Sequence, residues 1–196
     1  MTLPKPRKID VERYIGGLSQ LKKIDNPIKL SANESALGPS PKAIQAFEKD
    51  KDKIFKYPES DSTTLRDLIS KKFNIDHKRI ICGAGSDQIF DLTCKLFLEP
   101  GDEVIVTEFG FIMHRIYASL CQAKVVLAKE RNFKASVDEI LKKVTGKTKI
   151  VFVANPNNPT GTYLSKNEML NLRQKLRSNI LLVVDDAYFE FLNNND

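Results

Sequence analysis

Ile150-Val151-Phe152-Val153-Ala154-Asn155-Pro156-Asn157-Asn158-Pro159-Thr160-Gly161 joins an unbroken apolar run to a heptapeptide of two prolines, three asparagines, a threonine and a glycine. The run is short and largely β-branched, the composition of a strand buried on both faces. Generic turns rarely need so constrained a heptapeptide. Proline fixes φ, and a backbone locked in this way can hold an asparagine side chain toward a ligand rather than toward its own main chain.

Runs of the same kind flank this one at Val104-Ile105-Val106, at Val125-Val126-Leu127 and from Ile180 to Val184, and Arg79-Ile80-Ile81-Cys82 reads as an earlier strand ending at Gly83 and Gly85. Helical periods fill the intervals. Leu65, Leu68, Ile69 and Phe73 carry one before the first strand; Ile89, Phe90, Leu92, Leu96 and Phe97 carry the next, closed by the turn chemistry of Pro100-Gly101-Asp102. β-branched strands alternating with helices predict an α/β fold whose mostly parallel sheet is covered on both faces. Residues 1–40 are irregular, with a short amphipathic piece around Val11 to Leu21, and read as an arm; helical periodicity sets in at Pro41, with Ala43, Ile44 and Phe47.

The chain of 196 residues is 41% hydrophobic and 29% charged, which is globular composition and long enough for one sizeable core. Its net charge of +6 raises the question of a nucleic-acid partner. The lysines are spread along the chain and do not interleave with aromatics, so the charge suits an enzyme of phosphorylated ligands better than a base-stacking surface. The three cysteines, Cys82, Cys94 and Cys121, lack metal-ligand spacing, the N-terminus shows no apolar signal core, and no apolar run is long enough to span a bilayer. These features predict a cytoplasmic location, with no metal site and no membrane association.

Ligands of parallel α/β sheets bind beyond the carboxyl ends of the strands, and the unusual residues stand there. Gly83-Ala84-Gly85-Ser86-Asp87-Gln88 opens directly into a helix. Glycine lets the main chain approach a ligand, and first-turn N–H groups point at any anion placed there, the makings of a phosphate cup. An ordinary N-cap at Ser86 or Asp87 would leave the same trace, and the third glycine of the dinucleotide fingerprint is missing. Beyond the last strand stand Asp185-Asp186-Ala187-Tyr188, an acid at the strand tip and a phenol three residues on. A capping acid is the plainer reading of Asp185, and core packing is the plainer reading of Phe109 and Phe111.

Taken together, these segments resemble the fold-type I pyridoxal-phosphate aminotransferases, nearest the histidinol-phosphate branch. The resemblance runs in order through Leu30-Ser31-Ala32-Asn33-Glu34, Gly38-Pro39-Ser40-Pro41, Tyr57-Pro58, Leu65-Arg66, Gly85-Ser86-Asp87, Pro100-Gly101-Asp102, the heptapeptide from Asn155 and the Asp185 to Tyr188 step. It implies a three-layer α/β/α large domain over residues 41–196, incomplete at its C-terminal side, with residues 1–40 as the arm and the start of a small domain. Pyridoxal 5'-phosphate is the implied cofactor. Asp185 would pair with its pyridine nitrogen, and Asn158 and Tyr188 with its phenolic oxygen. Phe111 would stack on the ring, Gly85, Ser86 and Asp87 would take the phosphate, and Tyr57 would reach that phosphate from a second subunit. Glu34 would lie near the substrate.

The implied reaction moves an amino group between an amino donor, histidinol phosphate or an aromatic amino acid, and a 2-oxo acid, in a homodimer or in a chain completed by a C-terminal partner. The family's Schiff-base lysine falls beyond Asp196, and Lys166 lies on the wrong side of Asp185 to replace it; the expectation is therefore a chain inactive by itself. A noncatalytic cofactor- or partner-binding fragment and a decarboxylase of the same fold are the alternatives. Against the family pattern, Gln88 replaces a frequent glutamate, Ser35-Ala36 a usual Asn-Pro, and His114 a common tyrosine beside the site. A lone histidine of this kind is usually structural.

Overall fold

The structure, a computed structural model, describes residues 9–18, 24 and 27–192. They fall into two compact units divided between Tyr14 and Ile15 and again between Cys82 and Gly83. The smaller unit, from Ile15 to Cys82, carries helices α1 (Pro41–Asp50) and α2 (Thr63–Phe73), neither of which buries a residue. α1 starts on Pro41, whose missing N–H costs nothing in a first turn, and α2 stops at Asn74 in the left-handed conformation.

The larger unit holds helices α3 (Gly85–Phe97), α4 (Ile112–Leu120), α5 (Val137–Lys142) and α6 (Lys166–Lys175). Its strands are β1 (Glu103–Thr107), β2 (Lys124–Ala128), β3 (Thr148–Ala154) and β4 (Leu181–Asp185). They form one sheet in the order β2-β1-β3-β4, with every pair parallel. Successive strand side chains point to opposite faces, and the core divides accordingly. Val104, Val106, Ile150 and Phe152 pack with Phe90 and Cys94 of α3 and Ala118 of α4, whereas Ile105, Val151 and Val153 pack with Ile140 of α5 and Leu172 of α6. Helices therefore cover both faces, the three-layer α/β/α arrangement expected from the apolar runs.

The expected strand at Arg79-Ile80-Ile81-Cys82 is a correction. Arg79 closes a short 3-10 turn over His77–Arg79, Ile80 is extended, and no ladder follows. The four strands among the described residues all belong to the larger unit, so β-branched propensity here has no partner strand among the described residues of its own unit to act on. The amphipathic piece at Val11 to Leu21 also differs: residues 11–18 form no helix, and the remainder lies outside the described residues. No helix among the described residues is long and apolar enough to cross a membrane.

Candidate functional site

Register brings the distant segments together. Ala154 pairs with Asp185 at the carboxyl end of the β3–β4 ladder, and the Asn155 N–H donates to the Asp185 carbonyl at 2.9 Å. The heptapeptide and the acid therefore leave neighbouring strands side by side. Around these tips lies a cavity of about 90 Å³ walled by Ser86, Phe111, Asn158, Asp185 and Tyr188, with the small surfaces of Ala154, Pro156 and Ala187 between them.

The three asparagines have separate tasks. Asn155 accepts from the Leu164 N–H at 2.6 Å and donates to the Leu164 carbonyl at 3.1 Å, tying both ends of the loop. Asn157 donates to the Phe109 carbonyl at 3.1 Å and to Thr160 Oγ1 at 2.9 Å. Asn158 is left to face the cavity. The peptide bonds preceding Pro156 and Pro159 are both cis, and Gly161 takes the positive φ of 70° at which side chains are strained.

Asp185 is buried and held on both oxygens. His114 Nε2 stands 3.2 Å from Oδ2, and the Ala187 N–H donates to Oδ1 at 3.3 Å. With the carboxylate as acceptor, the imidazole proton belongs on Nε2. His114 is itself buried, stacked on Phe152 with ring centroids 4.8 Å apart and edge-on to Phe90 and Phe111. Its place is behind the cavity wall, in contact with the acid, and not among the lining side chains.

Phe111 precedes α4, lines the cavity and packs against the core, so its two readings are compatible. Phe109 turns away to Phe133, ring centroids 5.4 Å apart. Between them Gly110 has no room for a side chain: a Cβ there would stand 2.5 Å from Thr107 Oγ1. The Phe109 N–H donates to Glu130 Oε1 at 3.1 Å, and burial pushes the Glu130 carboxyl up.

The turn before α3 settles one open alternative. The helix starts at Gly85 with Ala84 as its N-cap and no capping side chain, so Ser86 and Asp87 lie within the first turn and neither is the cap. Gln88 reaches back to accept from the Ala84 N–H at 2.6 Å. Gly85 has φ of 76° with open space where a Cβ would project, and first-turn N–H groups have no acceptor within their own helix.

Tyr57 and Glu34 belong to the smaller unit; the Tyr57 side chain is fully exposed and Glu34 pairs with Lys29 at 2.6 Å. Ser165 and Lys166 are the cap and first residue of α6, locked by a capping box with Glu168. Among the described residues no lysine lines the cavity, and no group of three His, Cys, Asp or Glu could hold a metal ion. The resemblance puts His114 beside the site in place of a common tyrosine, but nothing in the sequence marks it as the partner of Asp185.

A parallel α/β/α sheet with an acid, an amide and a phenol at adjacent strand tips, beside a glycine-opened helix, defines the class. Residues 25–196 match the family Aminotransferase class I and II, and the chain belongs to that family. More narrowly, it is 58% identical over its whole length to the histidinol-phosphate aminotransferase of Pelagibacter ubique and 47% identical to that of Paramagnetospirillum magneticum, covering 54% of each. The chain thus spans about half the length of the curated relatives it matches. The histidinol-phosphate aminotransferase of Sinorhizobium meliloti, solved with pyridoxal-5'-phosphate, shares the fold at a TM-score of 0.81 and 24% identity, over 84% of this chain and 45% of that one. An aspartate aminotransferase from Rhizobium meliloti follows at a TM-score of 0.77 and 24% identity, over 85% and 45%.

Proposed function

We propose that this chain binds pyridoxal 5'-phosphate at the β3–β4 tips and forms the cofactor-holding part of a histidinol-phosphate aminotransferase. The observation that carries the reading is the single cavity shared by Asp185, Asn158, Tyr188, Phe111 and Ser86 in a member of this family. The donor set fits the cofactor: a carboxylate for a pyridinium nitrogen, an amide and a phenol for a ring oxygen, an aromatic face, and first-turn N–H groups for a phosphate. When bound, the cofactor supplies an electron-accepting ring for the bonds at an amino-bearing carbon.

The chain's own residues prepare that ring. The Asp185 carboxylate keeps a proton on the ring nitrogen, a charge-assisted bond of about 1.5–3 kcal/mol. His114 Nε2–H and the Ala187 N–H fix both carboxylate oxygens, so the acid needs no reorientation to meet the nitrogen. Asn158 and Tyr188 set the charge on the phenolic oxygen, Phe111 excludes water from one face, and Gly85, Ser86 and Asp87 take the phosphate. Tyr57, fully exposed in its own unit, is offered to the phosphate site of a second copy, and the functional form is a dimer. Glu34 lies near the substrate, residues 41–196 belong to an incomplete large domain with 1–40 as the arm and the start of a small domain, and three free cysteines suit the cytoplasm.

No lysine among the described residues lines the cavity, and no turnover is expected of these 196 residues by themselves. Equilibrium dialysis with pyridoxal phosphate tests the proposal. Saturable binding weakened at least tenfold by Asp185→Ala is expected; no saturable binding, indifference to that change, or transamination by the purified chain contradicts it.

A further inference from the structure

The turn that leads from β1 to α4 is held from both sides of the sheet. The Glu108 N–H donates to the Ala128 carbonyl at 3.0 Å, continuing the β1–β2 ladder, and the Gly110 N–H closes the turn on the Thr107 carbonyl at 3.1 Å. Phe109 lies between them, and side chains take both its main-chain groups: its N–H donates to Glu130 Oε1 at 3.1 Å, and its carbonyl accepts from Asn157 Nδ2 at 3.1 Å. Glu130 follows β2 and Asn157 follows β3, the two strands that flank β1. The Glu130 N–H donates in turn to Glu108 Oε2 at 3.5 Å, so the tips of β1 and β2 hold one another. Asn157 Nδ2 also donates to Thr160 Oγ1 at 2.9 Å, which ties the same grip to the heptapeptide.

Neither holding side chain is fully satisfied. Among the described residues, Glu130 Oε2 and Asn157 Oδ1 are both buried without a hydrogen-bond partner. A buried polar atom left unpaired costs more than a typical hydrogen bond returns, so stability alone does not account for two such side chains on one turn residue. What the geometry serves lies two residues on, where Phe111 lines the ring cavity together with Asn158, the direct neighbour of Asn157. On its α4 side Phe111 is fixed by the His114 N–H, which donates to its carbonyl at 3.2 Å. On its β1 side stands Gly110, which restrains the backbone least of all residues, and the grip on Phe109 supplies the missing restraint.

We propose that Glu130 and Asn157 are positioning residues for the cofactor ring: gripping Phe109 from the tips of β2 and β3, they set the Phe111 face at a fixed spacing from Asn158. The proposal rests on the pyridoxal-phosphate reading above. Neither side chain lines the ring cavity, and each acts through Phe109.

Equilibrium dialysis and the induced circular dichroism of bound pyridoxal phosphate test it on the 196-residue chain. The variants are Glu130→Gln, Glu130→Leu, Asn157→Ala and Phe111→Leu, with the last also combined with Glu130→Leu and with Asn157→Ala. Phe111→Leu should weaken binding about fivefold through the lost ring contact. Glu130→Leu and Asn157→Ala should each approach that loss and diminish the dichroism of the bound ring at saturation. Glu130→Gln keeps an acceptor for the Phe109 N–H and should bind within about twofold of wild type. In the Phe111→Leu background neither Glu130→Leu nor Asn157→Ala should weaken binding further, because residues that act through one contact are not additive. Loss of structure in general would weaken both backgrounds alike, so equal fold-changes overturn the proposal, as does unchanged binding in Glu130→Leu or Asn157→Ala. Binding by Glu130→Gln as weak as that of Glu130→Leu overturns the role of the acceptor oxygen. Amide exchange at Phe109 decides the grip without cofactor: protection is expected in wild type and Glu130→Gln and its loss in Glu130→Leu, and a freely exchanging wild-type amide overturns it. Absence of saturable binding in wild type defeats the cofactor reading and this proposal with it, whereas wild-type binding with indifferent Glu130 and Asn157 variants defeats this proposal alone.

Discussion

Replacing His114 by phenylalanine tests how the acid at the site is held. The aromatic ring keeps the stack on Phe152 and the edge contacts to Phe90 and Phe111, while the hydrogen bond to Asp185 Oδ2, 3.2 Å long, is lost. Asp185 is 8% exposed, so water does not readily take the place of the imidazole. A hydrogen bond to a charged buried group is worth about 1.5–3 kcal/mol, and the expected loss of stability is of that size. In urea, with a slope typical of a small protein, this lowers the midpoint by roughly 1 M at unchanged slope. His114→Ala should cost roughly 1–3 kcal/mol more, because it also empties the space between three phenylalanines. The same His114→Phe change made in an Asp185→Asn background should cost less, since the charge that needed the partner is gone; the coupling between contacting residues is about 0.5–3 kcal/mol. A midpoint for His114→Phe equal to wild type, or equal costs in both backgrounds, would refute the reasoning.

Asn155→Ala should lower stability by about 1–3 kcal/mol in the same denaturation experiment, because it strands both Leu164 main-chain groups. Asn158→Ala should leave stability within about 0.5 kcal/mol and weaken pyridoxal phosphate binding instead. Gly110→Ala, with a Cβ forced to 2.5 Å from Thr107 Oγ1, should cost about 1–3 kcal/mol and blunt cofactor binding through Phe111. Thr145 Oγ1 at 2.5 Å and Lys124 Nζ at 2.9 Å hold the Glu103 carboxyl below its ordinary value of 4.5. Because the folded value is the lower one, this stabilisation is complete above 4.5 and drains away as pH falls below it. Thermal melts from pH 7 to pH 3 should show that acid-side loss in wild type and a shallower slope in Glu103→Gln.

The sheet was readable because continuous apolar runs such as Ile150 to Val153 carry their own burial signal on both faces. The strand expected at Arg79 to Cys82 shows the limit of that signal: pairing is a property of the neighbour, and propensity cannot announce that the described residues of the same unit offer no strand to pair. Resemblance singled out Asn158 from three identical amides, but composition could not have done so. What separates them is that Asn155 bonds across 9 residues and Asn157 across 48, distances at which no periodicity operates. The His114–Asp185 pair spans 71 residues and was invisible for the same reason. Gly110 left no mark either, because its need for a bare Cα comes from Thr107 folding back beneath it.

Nitrogen NMR of pyridoxal phosphate labelled at the ring nitrogen, bound to this chain, reports directly on whether Asp185 meets that atom. A protonated nitrogen signal through neutral pH, reverting to the unprotonated position in Asp185→Ala, is the predicted result. An unprotonated nitrogen in wild type, or a signal that ignores the substitution, would contradict the placement of the cofactor at these strand tips.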